Sequence, residues 1–229
     1  MNRCENHIDH YRLDGEKFDY FENADLTHRA YEILFRKFIA KLANRGGSVL
    51  DIGSGSGWTS SVRHERLYHV DLSPANLARL KSDGAFPVGA DAGRLPFKSD
   101  SMDVAIASEI LEHLNDPKSA AAEILRVVKP GGIAIVSTPY KERLRYTLCI
   151  HCNQLTPLNA HLHSFDRKSL TRLFDGKVLK VYVFGSKIFT LFRLTRLFAR
   201  LPLWLWRMIN YPFLKILDKA HHIVIVLEK

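Results

Sequence analysis

The sequence predicts a doubly wound α/β sheet, and three observations carry that prediction. Short apolar runs alternate with stretches of helical period along most of the 229 residues. The first run, Val49-Leu50-Asp51-Ile52, leads directly into Gly53-Ser54-Gly55-Ser56-Gly57. Glycines there let a turn take positive φ and let a ligand approach the backbone closely. The next two runs end near Asp71 and Asp91, so polar groups gather at the carboxyl ends of strands, where an open α/β sheet binds ligands.

Taken in order, residues 1–25 are polar with interspersed aromatics (Tyr11, Phe18, Tyr20, Phe21) and show no period. They read as a loose arm or as a lid over the ligand edge. Residues 27–43 carry Ala30, Ile33, Leu34, Phe38 and Leu42 near helical spacing and stop at Arg45-Gly46-Gly47. The glycine turn is expected to open a helix. A second strand covers 66–72, followed by Ser73 as N-cap and Pro74 at the first helical position. Residues 85–90 form a third strand. Residues 103–108 form a fourth, whose near-continuous apolar run suits burial on both faces. Asp116-Pro117 opens a helix through Val127-Val128, Lys129-Pro130-Gly131-Gly132 ends it, and 133–137 is the fifth strand. A helix at 167–174 and strands at 177–184 and 222–227 complete the alternation.

An apolar fraction of 46% and a charged fraction of 25% are those of an ordinary globular protein. The net charge of +9 is regional: residues 176–217 hold eight basic residues and no acidic one, while residues 1–175 balance to within one charge. That points to an anionic partner of this region alone. Three cysteines make no even disulfide framework, and the opening Met1-Asn2-Arg3-Cys4-Glu5 holds no apolar signal segment. Both predict a reducing, cytoplasmic setting. Basic residues interrupt every long apolar stretch, so a spanning helix is not expected.

Asp71 follows Asp51 by 20 residues, the distance at which an acid meets a ribose diol in strand–turn–helix sites. A dinucleotide site would offer the same logic, but its fingerprint is G-x-G-x-x-G with a pyrophosphate on the helix. Here the loop is G-x-G-x-G, preceded by Asp51 and followed by Asp91. Extra carboxylates would repel a pyrophosphate and suit a cationic ligand.

These residues, together with His69-Val70-Asp71-Leu72-Ser73-Pro74, Gly89-Ala90-Asp91-Ala92, Leu95-Pro96-Phe97, Ser108-Glu109-Ile110-Leu111-Glu112-His113-Leu114 and Val128-Lys129-Pro130-Gly131-Gly132, resemble the class I S-adenosylmethionine-dependent methyltransferases. The nearest resemblance is to the type 11 branch, which includes quinone-biosynthesis and other small-molecule methyltransferases. The matches keep their order over about residues 45–140. The resemblance implies a Rossmann-like methyltransferase fold of seven strands, mostly parallel, with an antiparallel last strand. It implies S-adenosylmethionine as cofactor, with Gly53, Gly55 and Gly57 turning against its methionyl part and Asp51 reaching the ammonium directly or through water. Asp71 would hold the ribose hydroxyls, Leu72 would lie on the adenine, and Asp91 and the Ala92 N–H would meet its edge. Ser108 and Glu109 would line the gap between sulfonium and acceptor, and His113 would fix a loop or touch substrate.

On this reading residues 1–229 are one domain. An arm and helix cover 1–44, a cofactor half 45–140, a substrate-side half 141–186, a basic amphipathic helical insertion 187–219 and the last strand 220–229.

Besides Glu109, the candidate catalytic groups are His161 and His163, in a segment similar to one before the sixth strand in related enzymes. An imidazole near neutral pKa suits a general base, and structural histidines are the alternative. Cys149 and Cys152 have zinc-ligand spacing, but His161 and His163 stand closer together than usual for the other half of a site. Free thiols beside a substrate loop are the favoured reading, so no metal is expected.

In the insertion, Arg193, Arg196, Arg200, Arg207 and Lys215 fall within a sector of roughly 100° if helical phase is continuous. Phe189, Phe192, Leu197, Phe198, Leu205, Trp206 and Phe213 would lie opposite. Pro202 and Pro212 are expected to divide the block into helices. It reads as an interfacial surface for an anionic membrane, or as a cap or oligomer face. Nucleic acid is disfavoured, because leucines outnumber groups that read or stack on bases. The chain is thus expected to move a methyl group to a small-molecule or lipid-like acceptor by in-line positioning in the cytoplasm, peripherally to a membrane if the insertion docks there. The alternative is a non-catalytic S-adenosylmethionine-binding protein that docks to a membrane or a protein partner.

Overall fold

Four consecutive residues of β1 (Ser48–Ile52) are buried, which places this strand inside a sheet covered on both faces. It pairs in parallel with β2 (Arg66–Asp71) on one side and β4 (Met102–Ser108) on the other. Parallel strands β3 (Phe86–Gly89) and β5 (Val128–Pro139) extend the sheet beyond these. The last strand, β9 (Ala220–Glu228), runs antiparallel to both β5 and the edge strand β8 (Lys177–Ser186). The order is β3-β2-β1-β4-β5-β9-β8. The expected seven-stranded, mostly parallel sheet with an antiparallel last strand and a helical insertion before it is found. The computed structural model describes residues 26–80, 84–148, 155–198 and 201–229. The proposed lid at 1–25, the Cys149/Cys152 pair and Arg200 lie outside the described residues.

Alternation along the strands divides the core into two layers. Leu50 and Ile52 of β1 and Ala105 and Ala107 of β4 meet α3 (Pro117–Val127) through Ala120, Ala121 and Ile124. Val49, Val104 and Ile106 point the other way, to α1 (Leu26–Ala43) with Tyr31, Leu34, Phe38 and Ile39. Among the described residues the remaining α-helices are α2 (Pro74–Leu80), α4 (Arg167–Thr171), α5 (Lys187–Leu191), α6 (Leu194–Phe198) and α7 (Leu203–Leu217). Two short strands, β6 (Tyr146–Leu148) and β7 (Leu155–Pro157), form a separate antiparallel pair that sequence pattern did not reveal.

Several expectations are corrected. The glycine turn opens only a 3-10 turn, Trp58–Ser61, and Val62 is already extended. Thr, Ser and Val following Trp58 are poor helix formers, so no helix N-terminus faces the ligand edge here. Lys129-Pro130-Gly131-Gly132 is not a gap between helix and strand. It bulges within β5, where the register jumps from Met102 opposite Val128 to Val104 opposite Ile133. Pro212 does not divide the insertion but sits inside α7. The breaks fall instead at Arg193, with φ of 56°, and at Pro202, which caps α7.

Those breaks destroy the single helical phase, so the cationic and apolar strips are not opposite each other. Phe189 and Trp206 turn inward. Trp206 packs 4.7 Å from the Phe184 ring, and Asn210 Oδ1 accepts the Ser186 N–H at 3.1 Å. Arg207 lies over Phe38 and Tyr182, 4.9 and 5.4 Å from the ring centroids. Trp204, Met208, Tyr211 and Ile216 point outward instead.

Truncation therefore separates two neighbouring tryptophans. Trp206→Ala, at 1% exposure, is expected to lower unfolding free energy by about 3–5 kcal/mol. Trp204→Ala, at 64% exposure, should change it by less than about 0.5 kcal/mol. Denaturant titration of both variants checks this.

Candidate active site

Asp51, 2% exposed, is held from two directions: its Oδ2 accepts the Thr59 hydroxyl at 2.6 Å and faces His69 Nδ1 at 3.1 Å. One carboxylate thus binds the turn after β1 to the neighbouring strand. Between these anchors the glycine turn spends its own amides. Gly53 and Ser54 donate to the Val70 carbonyl at 2.8 and 3.0 Å, Gly57 to Ser54 at 2.8 Å, and Gly55 to Asp71 Oδ2 at 2.8 Å. Gly57 is required where it stands, because its φ is 69° and an added Cβ would lie 2.1 Å from Leu80 Cδ2. At Gly55, with φ of 47°, an added Cβ would meet nothing within 4 Å: the turn is open on that side.

Asp71 also accepts from the Ser73 N–H at 2.8 Å and from Asn76 Nδ2 at 3.4 Å. Its carboxylate therefore sits fixed between the glycine turn and the start of α2, with a lone pair of Oδ1 left for a hydroxyl. Asp91, two residues past the end of β3, accepts the Gly93 N–H at 2.6 Å. Leu72 is half-buried beside Asp71, and Ala92 is buried. All the expected cofactor groups line one edge of the sheet.

Across that edge, at the end of β4, Glu109 has φ of 56°, a left-handed conformation that disfavours a side chain by about 1–2 kcal/mol. The conformation aims its carboxylate at two partners. Oε1 accepts the Ser137 hydroxyl at 2.8 Å, itself 3.0 Å from the Ser108 hydroxyl, and Oε2 lies 2.9 Å from His222 Nε2. The other ring nitrogen, Nδ1, receives the Tyr31 hydroxyl. Burial, then the charges of Glu109 and Glu32, push the Tyr31 phenol well above its ordinary pKa, so it keeps its proton and donates. Nε2–H is then left to donate to Glu109. The His222 ring also stacks on Phe35, with centroids 4.5 Å apart. The adjacent His221 is pulled down to about 4, chiefly by burial and then by His222, so it stays neutral at ordinary pH.

The remaining candidates gather one turn further on. His113 Nδ1 lies 3.3 Å from the Ala160 carbonyl and His163 Nε2 2.8 Å from the Leu114 carbonyl. Leu162 and His163 donate backbone N–H groups to the Glu112 carbonyl at 2.7 and 3.1 Å. His161 pairs with Glu142.

Residues 50–136 match a family model described as a methyltransferase domain. In this segment the chain is similar to methyltransferase domains. An uncharacterized methyltransferase of Mycobacterium marinum is 36% identical over 109 residues, 42% of this chain and 42% of that protein. The chain thus spans about two fifths of the length of that relative. Phosphoethanolamine N-methyltransferase 2 of Haemonchus contortus, solved with S-adenosylmethionine, superposes with a TM-score of 0.57 at 17% identity, over 96% of this chain and 60% of that one. The (4+2)-cyclase SpnF superposes with a TM-score of 0.61 at 18% identity, over 93% of this chain and 84% of that one. At such identities these two structures bear on the fold alone.

Within this segment the sequence brought Asp51, Asp71, Asp91, Ser108 and Glu109 to one edge, but it missed Tyr31 and His222. Their contact joins positions 191 apart, and the only local sign was a histidine pair opening an apolar strand. Of the histidines proposed as bases, His163 is engaged with a backbone carbonyl. His161 shares a cluster with Glu112 and His113, each offering one ligand atom within 4.8 Å of the others. This set could hold a divalent cation, with His161 but not His163 taking part.

Glu112 is 1% exposed, and neither carboxylate oxygen has a hydrogen-bond partner among the described residues. Burial, then the Glu109 charge, raise its pKa well above 4.5, so the folded state favours the protonated acid. The sign follows from proton linkage. Below the ordinary carboxyl range both states hold the proton and nothing is lost. As pH rises past 4.5, the unfolded state ionises first and stability falls. Glu112→Gln is expected to melt higher than the parent at neutral pH, the two curves converging in acid. Thermal melts in EDTA across that range check it.

Proposed function

We propose that the protein transfers the methyl group of S-adenosylmethionine to a small-molecule or lipid-like acceptor. The carrying observation is the coupling of the glycine turn to Asp71. Val70 takes two amides of the turn, and the next residue, Asp71, takes a third, so turn and diol acceptor form one rigid unit. The turn's own bonds test which ligand fits. Four of its amides, those of Gly53, Ser54, Gly55 and Gly57, are committed to Val70, Asp71 and Ser54, which leaves the turn poorly built as a phosphate cradle. Asp71 and Asp91 offer acceptors to hydroxyls and an amine, as a nucleoside without phosphates requires. Asp71 would hold the ribose, Leu72 would lie against the base, Asp91 and Ala92 would meet its edge, and the open side of Gly55 would admit the methionyl part.

When bound, the cofactor supplies a sulfonium methyl that is already electrophilic. The chain's task is to align the acceptor and, where the acceptor carries a proton, to receive it. Glu109 and His222 stand in the right relation for that. Tyr31 and Glu109 fix both ring nitrogens of His222, and Ser137 fixes the other oxygen of Glu109. We assign the proton-accepting role to this pair ahead of His161 and His163. Tyr146, Leu148, Leu155 and Leu158 on the β6–β7 arm are exposed, which favours an acceptor with apolar surface.

Asp71→Ala should abolish S-adenosylmethionine binding in calorimetry, and unchanged affinity would refute the ribose assignment. Glu109→Gln should retain cofactor affinity and lose about 10²–10⁴-fold in turnover, read as labelled methyl passed to a polar-lipid or small-molecule extract. A wild-type chain that binds cofactor and labels nothing would favour the non-catalytic binding role.

A further inference from the structure

We propose that α5, α6 and α7 together form a docking surface for an anionic lipid bilayer. The proposal stands apart from the methyl-transfer reading, because a chain without turnover would keep the same surface. It starts from exposure. Leu191, Phe192 and Leu197 on the first two helices, and Trp204, Met208 and Ile216 on α7, stand largely in solvent, Ile216 at 79%. Apolar side chains gathered in this way mark an interaction site.

On α7 the outward stripe is also cationic. At about 100° per residue, Trp204, Met208, Tyr211 and Lys215 fall within a sector of roughly 60°, while Arg207 at its border lies over Phe38 and Tyr182. Trp206, Asn210 and Phe213 occupy the far side, where Trp206 meets Phe184 and Phe213 lies 5.1 Å from Phe189. The outward face of α7 is therefore aromatic and aliphatic, with Lys215 as its basic residue. Lys187, Arg193 and Arg196 are exposed on the neighbouring helices. Residues 176–217 contain no acid to neutralise them.

That composition decides the occupant. A second copy would meet the same patch across a two-fold axis, setting cation against cation with no counter-charge. An anionic bilayer answers both features: headgroups meet the basic residues, and Trp and Tyr favour the boundary between headgroup and acyl chain. With 15 residues, α7 is shorter than the roughly 20 needed to cross a bilayer, and no helix among the described residues is long and apolar enough to do so. The surface would lie in the plane of the interface. Its position fits. α5 leaves the sheet at the carboxyl end of β8, the edge that carries the glycine turn and Glu109, and Thr190 is bonded to His221 at 2.7 Å beside the His222 relay.

Co-sedimentation of the full chain with phosphatidylcholine vesicles, with and without phosphatidylglycerol, tests the proposal. Binding is expected to the anionic vesicles and to weaken as salt rises. The Arg193→Gln, Arg196→Gln, Lys215→Gln triple variant should bind about fivefold more weakly for each charge removed. Trp204→Ser with Ile216→Ser should lose binding while keeping the parent's melting temperature, since both side chains point outward. Equal binding to neutral and anionic vesicles, or binding unaffected by either variant, would overturn the proposal. So would duplex DNA bound in place of vesicles, or a solution dimer that Trp204→Ser with Ile216→Ser disperses.

Discussion

The ligand edge depends on one buried carboxylate. Asp51 lies inside the protein and must be paired there, because an unpaired buried charge is strongly unfavourable. Its partners are Thr59 beyond the turn and His69 on the next strand. Pairing both closes the backbone between residues 51 and 59 into a fixed loop. That closure presents Gly53 and Ser54 to Val70 and Gly55 to Asp71, and Asp71 in turn orders the start of α2 through Ser73 and Asn76. A single internal contact thus propagates through hydrogen bonds to most of the residues expected to hold the nucleoside.

The opposite side of the cleft is built by another device. Glu109 adopts a left-handed backbone conformation that glycine would take without strain, and strain of that kind gathers at functional sites. Its carboxylate is then aimed by Ser137 and His222, and His222 by Tyr31 and the Phe35 ring. These groups come from α1, β4, β5 and β9, so the side proposed to receive a proton draws on both halves of the chain while the side proposed to hold the nucleoside draws on one. The same fold recurs in a (4+2)-cyclase, and a fold by itself fixes no chemistry.

Legibility in the sequence follows the same line. β1, β4 and β9 were readable because strands buried on both faces must be continuously apolar. The acids at the ends of β1, β2 and β3 were readable because loop position and chemistry coincide. What depended on register was not readable. His222 meets Glu109 only because β9 enters antiparallel beside β5, with Thr138 opposite Ile223 and Pro139 opposite His222. The faces of the insertion were misassigned because one helical phase was assumed across Arg193, where φ is 56°. The helix after the glycine turn failed for a local reason, since Thr59, Ser60 and Ser61 favour a tight turn. The β6–β7 pair, three residues a side, is too short for periodicity to reveal.

The position of β9 has a consequence for the order in which the molecule is made. Among the described residues β8 pairs with no strand other than β9, so during synthesis β8 waits for β9, together with the greasy helices that connect them. A nascent chain can close the glycine turn and its three acids early, because β1 to β5 pair among themselves. Its Glu109 must stand without His222 until the final strand slides between β5 and β8. For that interval the exposed surface of the insertion is without its anchor on the sheet.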